Sequence, residues 1–134
     1  MEKIYKIIIA DDSSLFLEGL NFIINRNKQF EVIDTCKNGI ELINSPFLLK
    51  SDIVLSDIEM PEMNGIEAAK RINYLNPNLP LIALTMFLEK VYLRTIVEAG
   101  FKGFIYKPKV YIELFDIIDR VLKNQYVFPG YLTL

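Results

Sequence analysis

Acidic side chains follow two apolar segments of this sequence. Asp11 and Asp12 come directly after the isoleucine-rich residues 6–10, and Asp57 comes after the apolar residues 53–55 and a serine. A carboxylate at the end of a strand can serve as a metal ligand, a general base or a nucleophile, and an aspartate can accept a phosphoryl group as a mixed anhydride. The choice among these depends on which residues the fold brings beside Asp57.

Apolar runs and turn residues predict ten alternating elements. Residues 53–55 are apolar and largely β-branched, which is typical of a strand buried on both faces, and Pro61 and Gly65 interrupt the chain soon afterwards. The predicted strands span about residues 6–10, 30–36, 53–57, 81–85 and 103–106, and the predicted helices span about residues 14–26, 39–43, 65–76, 88–99 and 111–123.

Five strands alternating with five helices predict an α/β fold, a doubly wound parallel sheet with helices on both faces. The compact solution is the flavodoxin-like five-stranded sheet with strand order 2-1-3-4-5, whose switch point lies between strands 1 and 3. This order places Asp11 and Asp12 beside Asp57. Thr85 and Lys107, which end or follow strands 4 and 5, reach the same rim of the sheet.

Three converging carboxylates repel one another, so either one of them is protonated or a cation neutralises them. Ligands that are all oxygen favour a hard ion, and Mg²⁺ fits best because it is held by one or two carboxylates together with water and phosphate oxygens. Lys107 can pair with a carboxylate and then with a phosphoryl oxygen, while Thr85 offers a hydroxyl donor. Together these groups could offset the charge of a transferring phosphoryl group.

Composition excludes several functional classes. The 134 residues suit one domain, no apolar run is long enough to span a membrane, and no signal-peptide pattern precedes the first strand, so the cytoplasm is the expected location. The net charge of −2 without a basic stripe argues against direct binding of nucleic acid. Cys36 is the single cysteine and histidine is absent, which rules out an internal disulfide and histidine-dependent triads and disfavours zinc. Cys36 is expected in the core.

The first and the last helix each carry apolar residues that indicate how the helix packs. Leu15, Gly19 and Phe22 form a second apolar stripe on the first helix, which suits either the edge of the domain's own core or a partner surface. On the last helix, an amphipathic pattern predicts that six residues point inward: Tyr111, Leu114, Phe115, Ile118, Val121 and Leu122.

Several short motifs over residues 4–124 together resemble the receiver domains of two-component response regulators. The motifs are Asp11-Asp12, Asp57-x-x-Met60-Pro61-x-Met63-Asn64-Gly65, Leu84-Thr85, Ala99-Gly100 and Lys107-Pro108. The resemblance implies that Asp57 is the phosphoacceptor, and that Thr85 and Lys107 contact the phosphoryl group. It also implies a set of Mg²⁺ ligands: Asp12 directly, Asp11 beside it, Asp57, and the backbone carbonyl of Glu59.

The same resemblance draws attention to Phe104, which lies three residues before Lys107. This is the position of the family's switch aromatic, which turns inward as Thr85 moves toward the phosphate, although Phe104 could equally be a core aromatic. A closer similarity is to receivers of the subfamily with a LuxR-type C-terminal helix-turn-helix; it rests on Thr85-Met86-Phe87, residues 89–94, Ala99-Gly100-x-x-Gly103-Phe104 and residues 124–128. Pro108, which many members of that subfamily lack, would help to aim Lys107 through a trans or a cis bond.

These observations predict a receiver domain over residues 1–125 and a tail or linker over residues 126–134, which is apolar enough to pack on the domain or on a neighbour. A sensor histidine kinase or a small phosphodonor would phosphorylate Asp57, and the domain would act as a switch with slow self-dephosphorylation instead of a turnover enzyme. The output would be homodimerisation on phosphorylation, or control of transcription through a DNA-binding domain absent from this chain.

Alternative functions stay open. The chain could be a stand-alone receiver, or a protein-interaction module that works without phosphorylation. An aspartyl-nucleophile phosphatase is disfavoured, because Glu59 only loosely supplies the second acid and no cap domain is present. FMN binding is disfavoured because the loop after strand 1 is acidic where a phosphate cradle should be rich in hydroxyls and glycine.

Overall fold

A computed structural model describes residues 2–129 of the chain as one five-stranded parallel sheet. The strands are β1 (Tyr5–Ala10), β2 (Phe30–Cys36), β3 (Ile53–Asp57), β4 (Leu81–Thr85) and β5 (Gly103–Tyr106). The helices are α1 (Ser14–Asn25), α2 (Gly39–Ile43), α3 (Gly65–Leu75), α4 (Lys90–Glu98) and α5 (Val110–Leu122). The order β2-β1-β3-β4-β5 confirms the predicted fold.

The sheet is covered on both faces, which explains why its inner strands are apolar throughout. The side chains of β3 and β4 are buried along their whole length. On one face the core contains Ile7 and Ile9 and is covered by α1 and α5; on the other it contains Ile8 and is covered by α2, α3 and α4. Alternate residues of one strand therefore serve two separate cores.

Side-chain N-caps fix where three of the helices begin. Side-chain oxygens of Ser13, Asn38 and Asn64 accept hydrogen bonds from backbone amides of α1, α2 and α3, as N-caps should. The helix α4 begins at Lys90, two residues later than predicted, and its N-cap Glu89 makes no side-chain capping bond. The segment between β4 and α4 is therefore a loop.

The structure corrects one expectation about apolar helix residues and decides another that was open. Tyr111, expected to point inward, is 60% exposed. Leu15 and Phe22 are 81% and 61% exposed, so of the two alternatives for their stripe the core's edge is wrong. The inward face of α5 starts instead at Val110 and includes Ile117. Residues around Tyr111 are apolar on both sides of the helix, so the pattern did not fix its rotation.

The segment after α5 lies along the free edge of β5. The backbone amide of Val127 donates to the carbonyl of Lys102 (2.9 Å), and the amide of Phe104 donates to the carbonyl of Val127 (3.2 Å). The rings of Phe104 and Phe128 stack almost parallel, with centroids 6.2 Å apart. Up to residue 129, the tail thus packs on the domain as predicted, and residues 130–134 lie outside the described part of the chain.

Two further expectations concern burial and membrane insertion. Cys36 is buried as a free thiol, and burial, with added repulsion from Asp34, raises its pKa to about 12. Within residues 2–129, no helix has the length and apolar character needed to cross a bilayer. The cytoplasmic location stays a prediction.

Candidate functional site

Asp57 is held at the carboxyl end of β3 by the turn that follows it. The strand is buried up to Asp57, and the amide of Gly65 donates to the carbonyl of Ile58 (3.0 Å), which closes the loop back on the strand. A Cβ atom on Gly65 would collide with the carbonyl of Asp57. The position therefore requires glycine, and the tight approach fixes where the carboxylate of Asp57 emerges.

The strand order brings the acidic residues together as predicted. One carboxylate oxygen each from Asp11, Asp12 and Asp57 lies within 4.8 Å of the others. Lys107 completes the group: its Nζ lies 2.7 Å from Oδ2 of Asp11 and 3.2 Å from Oδ2 of Asp57. Residues remote in sequence thus form one cluster at the rim of the sheet.

The members of the cluster differ in exposure and in their backbone contacts. Asp11 is fully buried and Asp57 is 7% exposed, whereas Asp12 faces solvent. Oδ1 of Asp11 accepts a hydrogen bond from the amide of Ser13 (2.9 Å), and Oδ1 of Asp57 accepts one from the amide of Glu59 (3.3 Å). These bonds orient the two buried carboxylates toward Lys107.

Burial and charge act in opposite directions at this cluster. Burial raises the pKa of Asp57; the ammonium of Lys107 lowers it in part, and the charge of Asp11 raises it again. For Lys107, burial alone would lower the pKa, but the hydrogen bond to Asp11 and the charge of Asp57 outweigh burial and raise it. The single lysine therefore remains charged, and two buried carboxylates share it.

The residues present fit a hard divalent cation. Oδ2 of Asp11 is buried without a hydrogen bond of standard geometry, its partner being the nearby lysine ammonium. All three potential side-chain ligands are carboxylates, the donors that Mg²⁺ and Ca²⁺ prefer. An open cleft of about 500 Å³ gives access, lined among others by Asp12, Asp57, Glu59 and Lys107.

Two other predicted residues, Thr85 and Phe104, make their described contacts outside the cluster. Thr85 is buried, and its hydroxyl accepts from the amide of Phe87 (2.9 Å) and donates to the carbonyl of the same residue (3.4 Å). Phe87 in turn stacks on Tyr92 of α4, with ring centroids 4.8 Å apart. Phe104 is half-buried on β5 and stacks on Phe128. The Thr85 hydroxyl is thus bonded to the loop before α4.

The sequence's similarity to known proteins agrees with this geometry. A family model described as a response regulator receiver domain matches residues 7–119. The chain belongs to this family. In this chain the five-stranded fold brings the three acidic residues and Lys107 together. Receiver domains act as phosphoacceptor switches.

Curated relatives and solved structures support the same assignment. The chemotaxis protein CheY of Thermotoga maritima is 34% identical over 118 residues, which cover 88% of this chain and 98% of that protein. The transcriptional regulatory protein YxjL of Bacillus subtilis is 32% identical over 123 residues, which cover 92% of this chain and 56% of that protein. A solved DNA-binding response regulator of the LuxR family from Staphylococcus aureus has a TM-score of 0.81 and 25% identity, and the match covers 89% of this chain and 99% of that one.

These comparisons confirm the predicted resemblance to receivers, including those of LuxR-family regulators. The receiver domain nevertheless spans only 36% to 58% of the length of several curated relatives that it matches. Among the described residues every peptide bond is trans, so Pro108 follows Lys107 through a trans bond.

Sequence reasoning missed one residue at the site. The ring centroid of Phe16 lies 4.6 Å from Nζ of Lys107, at the rim and beside the carboxylates. The sequence assigned Phe16 to the apolar face of α1, and a position in the first turn after Asp11 and Asp12 was the only signal of its proximity to the site.

Proposed function

We propose that the receiver domain is phosphorylated on Asp57 and changes conformation in response. One observation carries the proposal: Asp57 shares the ammonium of Lys107 with Asp11 at the floor of an open cleft. Most of the residue is buried, so its carboxylate is fixed in direction, yet the cleft leaves room for a phosphodonor. An aspartate on the open surface would be accessible but not fixed in direction.

In the proposed reaction, a carboxylate oxygen of Asp57 attacks the phosphorus of a phosphohistidine on a sensor kinase, or of a small acyl phosphate. The new P–O bond forms as the P–N or P–O bond to the donor breaks, and the donor leaves with the electron pair. Lys107 stays protonated and lies where it can pair with a phosphoryl oxygen once Asp57 has reacted. The product is a mixed anhydride that water later hydrolyses.

The same site would hold Mg²⁺. The proposed ligands are the carboxylates of Asp12 and Asp57 and the backbone carbonyl of Glu59, with Asp11 beside them. The clustering of three carboxylates supports this choice. When bound, Mg²⁺ supplies positive charge that offsets the charge of the phosphoryl oxygens.

Phosphorylation would then act through Thr85. Its hydroxyl bonds the backbone of Phe87, and it would have to leave that partner to reach a phosphoryl oxygen. Such a move would release the loop before α4, whose Phe87 stacks on Tyr92, and would let Phe104 turn inward. We therefore propose that α4 and β5 form the two-state element.

The output is a further proposal. The apolar stripe of Leu15, Gly19 and Phe22 is the candidate homodimer surface, since Leu15 and Phe22 are exposed. Relatives that are named transcriptional regulators are longer than this chain, which supports DNA binding through an additional domain reached by residues 126–134. The match to nearly the whole of CheY supports the alternative, a stand-alone receiver.

The decisive test is labelling with acetyl phosphate and Mg²⁺, followed by intact mass spectrometry. The wild type should gain one phosphoryl group, and Asp57→Asn should gain none. Asp119→Asn is the matched control, because Asp119 pairs with Lys123 at 3.0 Å but on the exposed face of α5. Equal labelling of Asp57→Asn and wild type would refute the site assignment.

A second test addresses the idea that the domain works without phosphorylation. Beryllofluoride mimics a phosphoryl group, so its addition with Mg²⁺ should change the oligomeric state or the NMR signals of α4. Identical sedimentation and spectra with and without beryllofluoride would favour the interaction module.

A further inference from the structure

The ring of Phe16 lies against the ammonium of Lys107, although neither the fold nor the proposed reaction requires an aromatic residue there. The distance from Nζ to the ring centroid is 4.6 Å, well within the range of a cation–π interaction. The Lys107 side chain is 15% exposed. The ammonium of this mostly buried side chain therefore contacts two carboxylates and one aromatic ring.

Backbone contacts at the start of α1 hold this ring in place. Asp11, which pairs with Lys107, also accepts from the amide of Ser13 (2.9 Å), and the hydroxyl of Ser13 accepts from the amide of Phe16 (3.2 Å). Side chains of a helix lean toward its N-terminus, so a ring in the first turn leans toward the rim where the cluster lies. Lys107, Asp11, Ser13 and Phe16 thus form a closed set of contacts.

We propose that Phe16 is a positioning residue that holds the Lys107 ammonium over the carboxylates for phosphoryl transfer, a role that rests on the proposed function. A lysine side chain is flexible, and Lys107 has to stay near Asp57 while the partners of that carboxylate change. Asp11 holds the ammonium from one side. The negative face of the Phe16 ring attracts it as well, and the ring limits the directions in which the side chain can swing toward solvent.

The simpler role for Phe16 is apolar packing, since the half-buried ring also contacts the core between α1, α5 and the sheet. The two roles make different demands on the side chain. Packing can be supplied by leucine or methionine, whereas attraction to the ammonium needs an aromatic face. Phe16→Leu and Phe16→Tyr therefore separate them, because tyrosine keeps the ring.

Phe30→Leu is the matched control. Phe30 is a buried aromatic residue at the start of β2, at the end of the sheet opposite the site, and it packs on Tyr5 and Phe115. Its loss should lower stability at least as much as the loss of Phe16, without changing phosphorylation. A general effect of weakened packing would show in both leucine variants.

The experiment measures the initial rate of labelling by acetyl phosphate and the NMR shifts of the Lys107 side chain. Phe16→Leu should slow labelling about three- to tenfold, in line with an interaction of this class, and Phe16→Tyr should restore at least half of the rate. In the wild type, the ring current should move the Cε protons of Lys107 upfield, and Phe16→Leu should abolish that displacement while Phe30→Leu keeps it.

The outcomes distinguish this proposal from the one on which it rests. A wild-type protein that takes up no phosphoryl group would refute the proposed function and the role of Phe16 with it. A labelled wild type with an unchanged rate in folded Phe16→Leu would refute the positioning role alone. If Phe30→Leu slowed labelling as much as Phe16→Leu, or if Phe16→Tyr failed to restore the labelling rate, Phe16 would act only through apolar packing.

Discussion

Replacing Asp57 with asparagine should stabilise the folded receiver domain when divalent cations are absent. At an effective dielectric constant of 20, Lys107 at 3.2 Å attracts the Asp57 charge by about 5 kcal/mol. Asp11, with an oxygen within 4.8 Å, repels it by about 3.5 kcal/mol or more. Exposed Asp12 adds about 1 kcal/mol of repulsion when screened as in water. Attraction and repulsion nearly cancel.

The cost of burying the Asp57 charge is therefore left without compensation, which is why burial raises the pKa of its carboxyl. Asparagine carries no charge, and Lys107 keeps Asp11 as a partner. We expect Asp57→Asn to raise the free energy of unfolding by about 1–2 kcal/mol at pH 7, a fraction of the several kcal/mol assigned to a buried ion.

The difference in unfolding free energy between Asp57→Asn and the wild type should depend on pH, in a direction set by the raised pKa of Asp57. A carboxyl whose pKa is higher in the folded state lowers stability only where it is ionised. The difference between variant and wild type should thus be absent below the ordinary value of 3.8, grow as pH rises through it, and be complete above the raised folded pKa. Comparing the two proteins cancels groups that titrate alike in both.

The assay is urea denaturation in EDTA and again in Mg²⁺, from pH 3.5 to 8. Mg²⁺ at ten times its dissociation constant should stabilise the wild type by about 1.4 kcal/mol and the variant by less. Asp119→Asn, the surface control, should change stability by about 0.5 kcal/mol or less, because its partner Lys123 is exposed. A loss of stability in Asp57→Asn at pH 7 in EDTA would show that Lys107 outweighs burial and repulsion, contrary to the reasoning above.

Three further variants or probes test the surroundings of the site. Gly65→Ala should destabilise the domain by about 2 kcal/mol or more and abolish labelling, since the added methyl would meet the carbonyl of Asp57; wild-type stability by thermal unfolding would contradict this. Phe128→Ala should cost about 1–2 kcal/mol in urea denaturation because the stack on Phe104 is lost, and no change would mean that the tail is not part of the folded unit. Cys36, buried with a pKa of about 12, should resist iodoacetamide at pH 8 until the chain unfolds, and rapid native alkylation would show otherwise.

The sequence predicted the elements and the meeting of Asp11, Asp12, Asp57 and Lys107, because these follow from apolar runs and from one topological rule for parallel sheets. It could not predict side-chain directions where several are compatible with the pattern. Tyr111 lies among apolar residues that suit more than one rotation of α5. Phe16 contacts Lys107 because tertiary packing places the first turn of α1 beside the turn that follows β5, which no local pattern encodes.

Thr85 shows why such directions matter for function. Its hydroxyl makes a neutral hydrogen bond with the Phe87 amide, worth about 1 kcal/mol net, whereas a bond to a charged phosphoryl oxygen is worth about 1.5–3 kcal/mol. The exchange of these two bonds would favour the moved hydroxyl by about 0.5–2 kcal/mol. That figure is an upper limit, because the hydroxyl would also lose its 3.4 Å bond to the Phe87 carbonyl, and the loop and the stack of Phe87 on Tyr92 would have to rearrange. A bias of that size shifts the populations of a balanced two-state equilibrium only in part, since moving the ratio of the two states from 1:99 to 99:1 requires about 5.5 kcal/mol. Thr85 alone thus cannot drive the proposed switch, and the remaining bias would have to come from the contact of Lys107 with the phosphoryl group and from the cation that the site would hold.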